Sequence, residues 1–151
     1  MEAEERAQAA RLPLLLVAAV ALIDIDGRVL LARRPEGKSM AGLWEFPGGK
    51  IKTNETPDDT IVREVKEELS LEIDKDSLVP FSFNTYTYEK FHAIIFCYIC
   101  RIWKGTPLSK NKQKVLWIEI EKLKNYEFLA GSQAFIQKLI NLRKNIKINY
   151  L

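Results

Sequence analysis

From Thr56 to Leu69 the chain reads T-P-D-D-T-I-V-R-E-V-K-E-E-L, a run that makes sense only as a helix with one buried side. Thr56-Pro57-Asp58-Asp59 is a helix-start signal, because proline is tolerated in the first turn and acids there complement the helix dipole. At about 100° per residue, Ile61, Val62, Val65 and Leu69 fall on one arc and form a stripe for burial. Glu67, Glu64 and Glu68 take the next arc in that order, which leaves Glu68 beside the stripe. Arg63 lies one turn before Glu67, within pairing range. Three carboxylates are thereby gathered at the edge of a core. Their repulsion costs ~0.2–0.5 kcal/mol per pair, and a divalent cation would relieve it. Hard oxygen ligands of this kind suit Mg²⁺, with Mn²⁺ as a substitute.

Glutamate-rich helix faces are common and mostly just solvated, so the helix alone decides little. Its approach is more informative. Gly48-Gly49 and Glu55 precede Arg63-Glu64-Val65-Lys66-Glu67-Glu68 at fixed offsets, and Leu71 closes the run. The spacing resembles the Nudix box, G-x5-E-x7-R-E-U-x-E-E-x-G-U with U apolar, counted from Gly49. One position departs, since Ser70 stands where the family has glycine.

The remaining features bound the setting. The chain has 151 residues and a net charge of +3, one domain's length and too mild a charge to argue for nucleic acid. Lys110, Lys112 and Lys114, and Lys138, Arg143, Lys144 and Lys147, read as solvated faces. Cys97 and Cys100 sit in an apolar strand-like run with no second pair or histidine cluster, which points to buried, reduced thiols. Leu12 to Ile23 is too short to span a bilayer and follows an acidic start, so it reads as a buried strand rather than a signal core. A cytoplasmic protein without membrane attachment is expected. Lysine is scarce before Gly49 and abundant after it, but a boundary there would cut the motif in two.

Periodicity places strands at 14–24 and 28–33 as a hairpin around Asp26-Gly27. A loop follows to Gly42, then a short strand Leu43–Phe46 ending at Pro47-Gly48-Gly49. Long strands at 79–88 and 91–103, a strand at 115–118 and a helix opened by Gly131-Ser132 complete the order. Phe135, Ile136, Leu139 and Ile140 carry the core spacing of that last helix. The expected class is α/β (α+β), a mixed sheet flanked by helices. Residues 13–145 form the expected domain, with 1–12 as an N-terminal extension and 146–151 as a tail.

Beyond the box, Arg33-Arg34-Pro35, Trp44-Glu45-Phe46-Pro47-Gly48-Gly49-Lys50 and Tyr88-Glu89-Lys90-Phe91-His92 resemble the MutT branch of the Nudix hydrolases. That resemblance implies an α/β/α sandwich and hydrolysis of nucleoside triphosphates to monophosphate and pyrophosphate, with 8-oxo-dGTP the substrate of its best-known members. It implies that the Gly48 carbonyl, Glu64, Glu67 and Glu68 hold divalent metal. Glu64 is then the favoured proton acceptor and Glu67 the next. Gly49, Glu55 and Arg63 are implied to support the motif. Arg34, Ser39, Phe46 and Ser132 would line the nucleoside pocket, and Lys50 would reach a phosphate. Serine at 132 and 39 replaces larger polar groups of the family, and the shorter side chain cannot make the same paired contact. MutT-like enzymes also carry a metal-reaching Glu two residues before a Gln. Here that Gln is Gln113 and the acid position is Asn111, so metal is expected to arrive chiefly with the nucleotide.

The alternatives are a pyrophosphohydrolase of a pyrimidine triphosphate such as CTP or of another nucleoside diphosphate derivative, and a non-catalytic Nudix-fold module. Such modules usually erode the acids, whereas Glu64, Glu67 and Glu68 are all present. No direct nucleic-acid partner is expected. Whether the chain is a monomer or a homodimer is left open.

Overall fold

The run of apolar residues after Leu14 becomes a central strand because both of its edges and both of its faces are used. In the computed structural model, which describes residues 2–4, 11–109 and 113–145, the strands are β1 (Leu14–Leu22), β2 (Arg28–Arg33), β3 (Trp44–Glu45), β4 (Gly48–Lys50), β5 (Leu78–Thr87), β6 (His92–Cys100) and β7 (Val115–Glu119). The helices are α1 (Pro57–Leu69) and α2 (Gln133–Asn145), with short 3₁₀ turns at Lys75–Ser77, Ile120–Asn125 and Ala130–Ser132. One sheet has the order β4-β1-β6-β5 and the other β3-β2-β7. The β1–β6 pair is parallel and the other pairs are antiparallel, so the first sheet is mixed.

Side chains alternate along β1. Ala18, Val20 and Leu22 pack with Ile61, Val65 and Leu69 of α1. Ala21 and Ile23 pack with Phe135, Ile136, Leu139 and Ile140 of α2. A strand buried on both faces must read as a nearly continuous apolar run, and this is why Leu14–Leu22 lacks an alternating pattern. The result is the expected mixed sheet system with helices on both sides.

Two expectations are corrected. Asp26-Gly27 does make a turn, in which Asp24 Oδ1 accepts from the amides of Asp26 and Arg28 at 3.0 and 2.8 Å. Yet β1 and β2 do not continue as a hairpin. Beyond the single bridge Ile23–Val29 they part into different sheets, because β4 and β6 already occupy the two edges of β1. Likewise Gly48-Gly49-Lys50 does not merely end a strand. It is itself β4, paired with Ala19, Ala18 and Val17 of β1.

Burial on α1 differs in detail from the helical arc. Val62 is half-buried, while Thr60 is fully buried and donates its hydroxyl to Glu55 Oε1 at 3.1 Å. The helix begins with a reciprocal cap: Thr56 Oγ1 accepts from Asp59 N, and Asp59 Oδ2 accepts from Thr56 N. Cys97 and Cys100 are buried free thiols. Burial raises both, Cys97 to about 12, which suits them to packing rather than reaction. Arg143 is not simply solvated. Its side chain is 12% exposed, pairs with Glu121 at 2.8 Å and lies against Gly27. Lys110, Asn111, Lys112 and Lys147 lie outside the described residues, as do most of the N-terminal extension and the C-terminal tail.

Helix α1 ends on Ser70 with φ 59° and ψ 27°, and the Ser70 amide still bonds the Lys66 carbonyl. A side chain in this left-handed region is disfavoured, and glycine adopts it at little cost. Ser70→Gly is expected to raise stability by about 0.5–1 kcal/mol, read as a higher midpoint in denaturant titration. An unchanged or lower midpoint would show that the serine hydroxyl contributes more than the strain costs.

Candidate active site

The glycine pair lets α1 approach the sheet. Gly48 has φ +149°, and a Cβ there would run into the Ala18 carbonyl and lie 2.8 Å from Ala19 Cα. Gly49 faces the helix, where a Cβ would fall 2.5 Å from Glu64 Oε1. The Glu64 carboxylate therefore occupies the space that any other residue at 49 would fill.

Arg63 organises the acids around that contact. It donates Nε to Glu55 Oε2 at 2.6 Å and Nη2 to Glu55 Oε1 at 2.9 Å, a two-pronged pair. Its Nη1 reaches Glu64 Oε1 at 2.8 Å and Glu67 Oε2 at 3.3 Å, and Nη2 also donates to the Lys50 carbonyl at 3.3 Å. Glu55 in turn accepts from the Lys52 amide at 3.0 Å and from Thr60. The Arg63 hydrogen bond, with help from these donors, holds Glu55 down at about 2, while its carboxylate partners raise Arg63.

Glu64 and Glu68 are drawn together, whereas Glu67 is not part of that pair. Glu67 is 57% exposed and leans on Arg63. Burial pushes Glu68 up to about 8, and the adjacent Glu64 and then Glu45 push in the same direction, with Lys38 opposing. A half-buried carboxyl beside a second carboxylate needs a proton or a cation. The donor set of Glu64, Glu68 and nearby backbone carbonyls is hard oxygen throughout and therefore fits a divalent cation. Among the described residues no three acidic, imidazole or thiol side chains converge on one point.

Glu45 links this pair to a second polar cluster. It is raised by burial, against the pull of Arg34, whose Nη1 bonds Glu45 Oε2 at 3.0 Å. Arg34 also donates to the Ser39 carbonyl at 2.9 Å and to Ser39 Oγ at 3.4 Å. Tyr88 lies close enough to feel both Arg34 and Glu45, and its hydroxyl accepts from the Gly131 amide at 2.9 Å. Arg34, Ser39 and the backbone leading to Ser132 are thus placed around Glu45 and Tyr88. A cleft of about 380 Å³ opens beside Arg34, bordered by Arg33, Pro35, Gly42, Gln113 and Lys114; Glu64 and Glu68 do not line it.

Phe46 is placed differently from a base-stacking side chain. Only 6% exposed, it packs its ring 4.5 Å from Phe135 and 5.7 Å from Phe128, centroid to centroid. The ring faces are committed to the core. Lys50 contributes its carbonyl to Arg63, and its exposed side chain has no partner in the motif. Asn111 lies outside the described residues. Glu45 and Tyr88 are not among the candidate site residues singled out from the sequence. The available signal was an acid inside the aromatic run Trp44-Glu45-Phe46, since a charge beside core residues needs a partner.

Comparison with known proteins identifies the family. A family model described as NUDIX domain matches residues 18–138. The chain belongs to the Nudix family and is a MutT-like Nudix hydrolase. It is 29% identical over 136 residues to an 8-oxo-dGTP diphosphatase of Haemophilus influenzae, covering 85% of this chain and 93% of the relative. It is 30% identical over 125 residues to a CTP pyrophosphohydrolase of Escherichia coli, covering 82% and 90%. The solution structure of the E. coli ORF135 protein superposes with a TM-score of 0.77 at 25% identity, over 90% of this chain and 95% of that one.

Two expectations follow from the geometry. Gly49→Ala should push the Glu64 carboxylate aside and lower hydrolytic activity about 10²-fold, with the helix content unchanged in circular dichroism; full activity would show that Glu64 has room to move. The second concerns pH. Without a divalent cation the folded chain keeps the Glu68 proton up to about pH 8, while the unfolded chain releases it near the ordinary 4.5. Between these values the folded state binds more protons, so stability falls as pH rises. In a pH series of thermal melts on cation-free protein, Glu68→Gln should show a shallower decline than the parent across that window. Parallel slopes would remove Glu68 as the source.

Proposed function

We propose that this chain is a divalent-metal-dependent nucleoside triphosphate pyrophosphohydrolase that sanitises oxidised purine nucleotides, taking 8-oxo-dGTP and water to 8-oxo-dGMP and pyrophosphate. The observation that carries the reading is the Glu64–Glu68 pair, held against Gly49 and oriented by the Arg63–Glu55 bridge. Glu64, Glu68 and the Gly48 carbonyl would hold the cation, with Glu67 joining from the solvent side. A bound Mg²⁺ would neutralise the triphosphate and make a bound water more acidic.

The chain's own groups do the rest. Glu64 accepts the proton of the water that attacks phosphorus, and a P–O–P bond breaks to release pyrophosphate. Arg63 keeps Glu64 in place through its bond to Oε1, and Glu55 keeps Arg63 in place, in the manner of residues that orient ligands without touching substrate. Arg34, Ser39 and Ser132 contact the nucleoside, and Lys50 is available to a phosphate oxygen. Clearing the nucleotide pool in this way would protect DNA replication without contact with DNA, in the cytoplasm.

A second reading is favoured by the serines. Ser39 and Ser132 are too short for a paired contact to a purine edge, and Phe46 gives its faces to the core, which favours a base that needs neither, as in a pyrimidine triphosphate such as CTP. The E. coli relative named as a CTP pyrophosphohydrolase supports it.

A hydrolysis screen with and without Mg²⁺, over canonical and oxidised triphosphates, separates the readings by substrate and by release of pyrophosphate. Glu64→Gln and Glu68→Gln are each expected to lose about 10²-fold or more in turnover, as when charge stabilisation in a metal-assisted step is removed. Turnover within a few-fold of the parent at saturating Mg²⁺ would contradict the assignment.

A further inference from the structure

The turn Ala130–Ser132 opens α2 and carries Ser132, yet serine has a short reach. Whatever Ser132 contacts must be met by moving its backbone into place, so the question is what holds that backbone. The peptide at Gly131 is gripped at both ends by side chains from the β5–β6 hairpin. The Gly131 amide donates to Tyr88 Oη at 2.9 Å, and the Gly131 carbonyl accepts from Asn84 Nδ2 at 2.9 Å. Asn84 is itself oriented, because its Oδ1 accepts from the Cys97 thiol at 3.6 Å. The Ser132 amide completes the turn by donating to the Leu129 carbonyl at 2.9 Å.

The fit is tight. A Cβ at 131 would lie 2.6 Å from Tyr88 Oη and 2.9 Å from Ile95 Cδ1, so glycine is required for the phenol to reach the amide. Tyr88 is fixed in turn by its neighbours, with ring centroids 4.7 Å from Tyr86 and 4.9 Å from Phe91. Arg34 and Glu45, themselves paired at 3.0 Å, lie within electrostatic range of the Tyr88 hydroxyl. Tyr88 therefore bonds the turn that carries Ser132 and lies near the Arg34–Glu45 pair.

We propose that Tyr88 and Asn84 are positioning residues for nucleobase selection, clamping the Gly131 peptide so that Ser132 meets the base at a set distance from Arg34 and Glu45. This rests on the nucleotide reading above. Neither residue acts on the phosphates: the acid pair is held by Arg63 and Gly49, with no hydrogen bond to Tyr88 or Asn84. Loosening the clamp thus alters how a base is held and leaves the hydrolytic step as it was.

The experiment compares the parent with Tyr88→Phe, which removes only the acceptor of the Gly131 amide. Three readouts are taken: kcat and KM over a panel of nucleoside triphosphates, kcat/KM for a base-free 1-deoxyribose 5-triphosphate, and calorimetric Kd for the corresponding nucleoside monophosphates. The expected result is a KM about 10-fold higher for the preferred nucleotide, a narrowed preference among bases, an unchanged kcat and an unchanged kcat/KM for the base-free substrate. Monophosphate Kd should rise in step with KM. Asn84→Ser, too short to reach the Gly131 carbonyl, carries the same expectation and serves if Tyr88→Phe does not fold. Unchanged base preference, or an equal loss on base-free and base-bearing substrates, overturns the clamp. A parent that hydrolyses no nucleoside triphosphate overturns the nucleotide reading instead, and the clamp falls with it.

Discussion

The bridge between Arg63 and Glu55 is the interaction on which the site depends. Its two prongs, at 2.6 and 2.9 Å, tie the loop before α1 to the middle of the helix. The remaining nitrogen, Nη1, holds Glu64 and touches Glu67, and Nη2 also closes on the Lys50 carbonyl of β4. One guanidinium thus connects a strand, a loop and a helix. A lysine would offer a single point charge and could not make the planar, two-pronged bond while also reaching Glu64.

The bridge works only because the backbone lets the helix come close. Gly48 sits where any side chain would collide with β1, and Gly49 where one would displace Glu64. Close approach leaves Glu68 half-buried next to Glu64, which is unfavourable for the empty pair and favourable for a bound cation. The same core that pins α1, through Ile61, Val65 and Leu69 against β1, supplies the rigidity that keeps the like charges together. Site strain is therefore offset by packing from the opposite face of the same helix.

The second half of the site is built from the other side of the sheet. Glu45 lies between the acid pair and the cluster of Arg34 and Ser39, and Tyr88 extends that cluster to the Ser132 turn. Family membership follows from the motif and the fold. In the proposed function the choice of base falls to this second cluster.

Sequence alone determined the helix, its cap and its acid strip, because a 3.6-residue period and a proline-acid start are local properties of the chain. The spacing from Gly48 to Leu71 was enough to indicate the family, and the left-handed end at Ser70 was legible from the glycine it replaces. Only the tertiary structure decided that Glu64 pairs with Glu68 while Glu67 turns to Arg63, since that choice depends on where the sheet buries the helix. It also decided that Phe46 belongs to the core, that β1 and β2 part into two sheets, that Glu45 stands beside the acids, and that Tyr88 bonds the Gly131 turn. Those outcomes join residues far apart in the chain, as in the Phe46–Phe135 contact and the Tyr88–Gly131 bond, and no local period in a sequence reports which distant segments will share a wall.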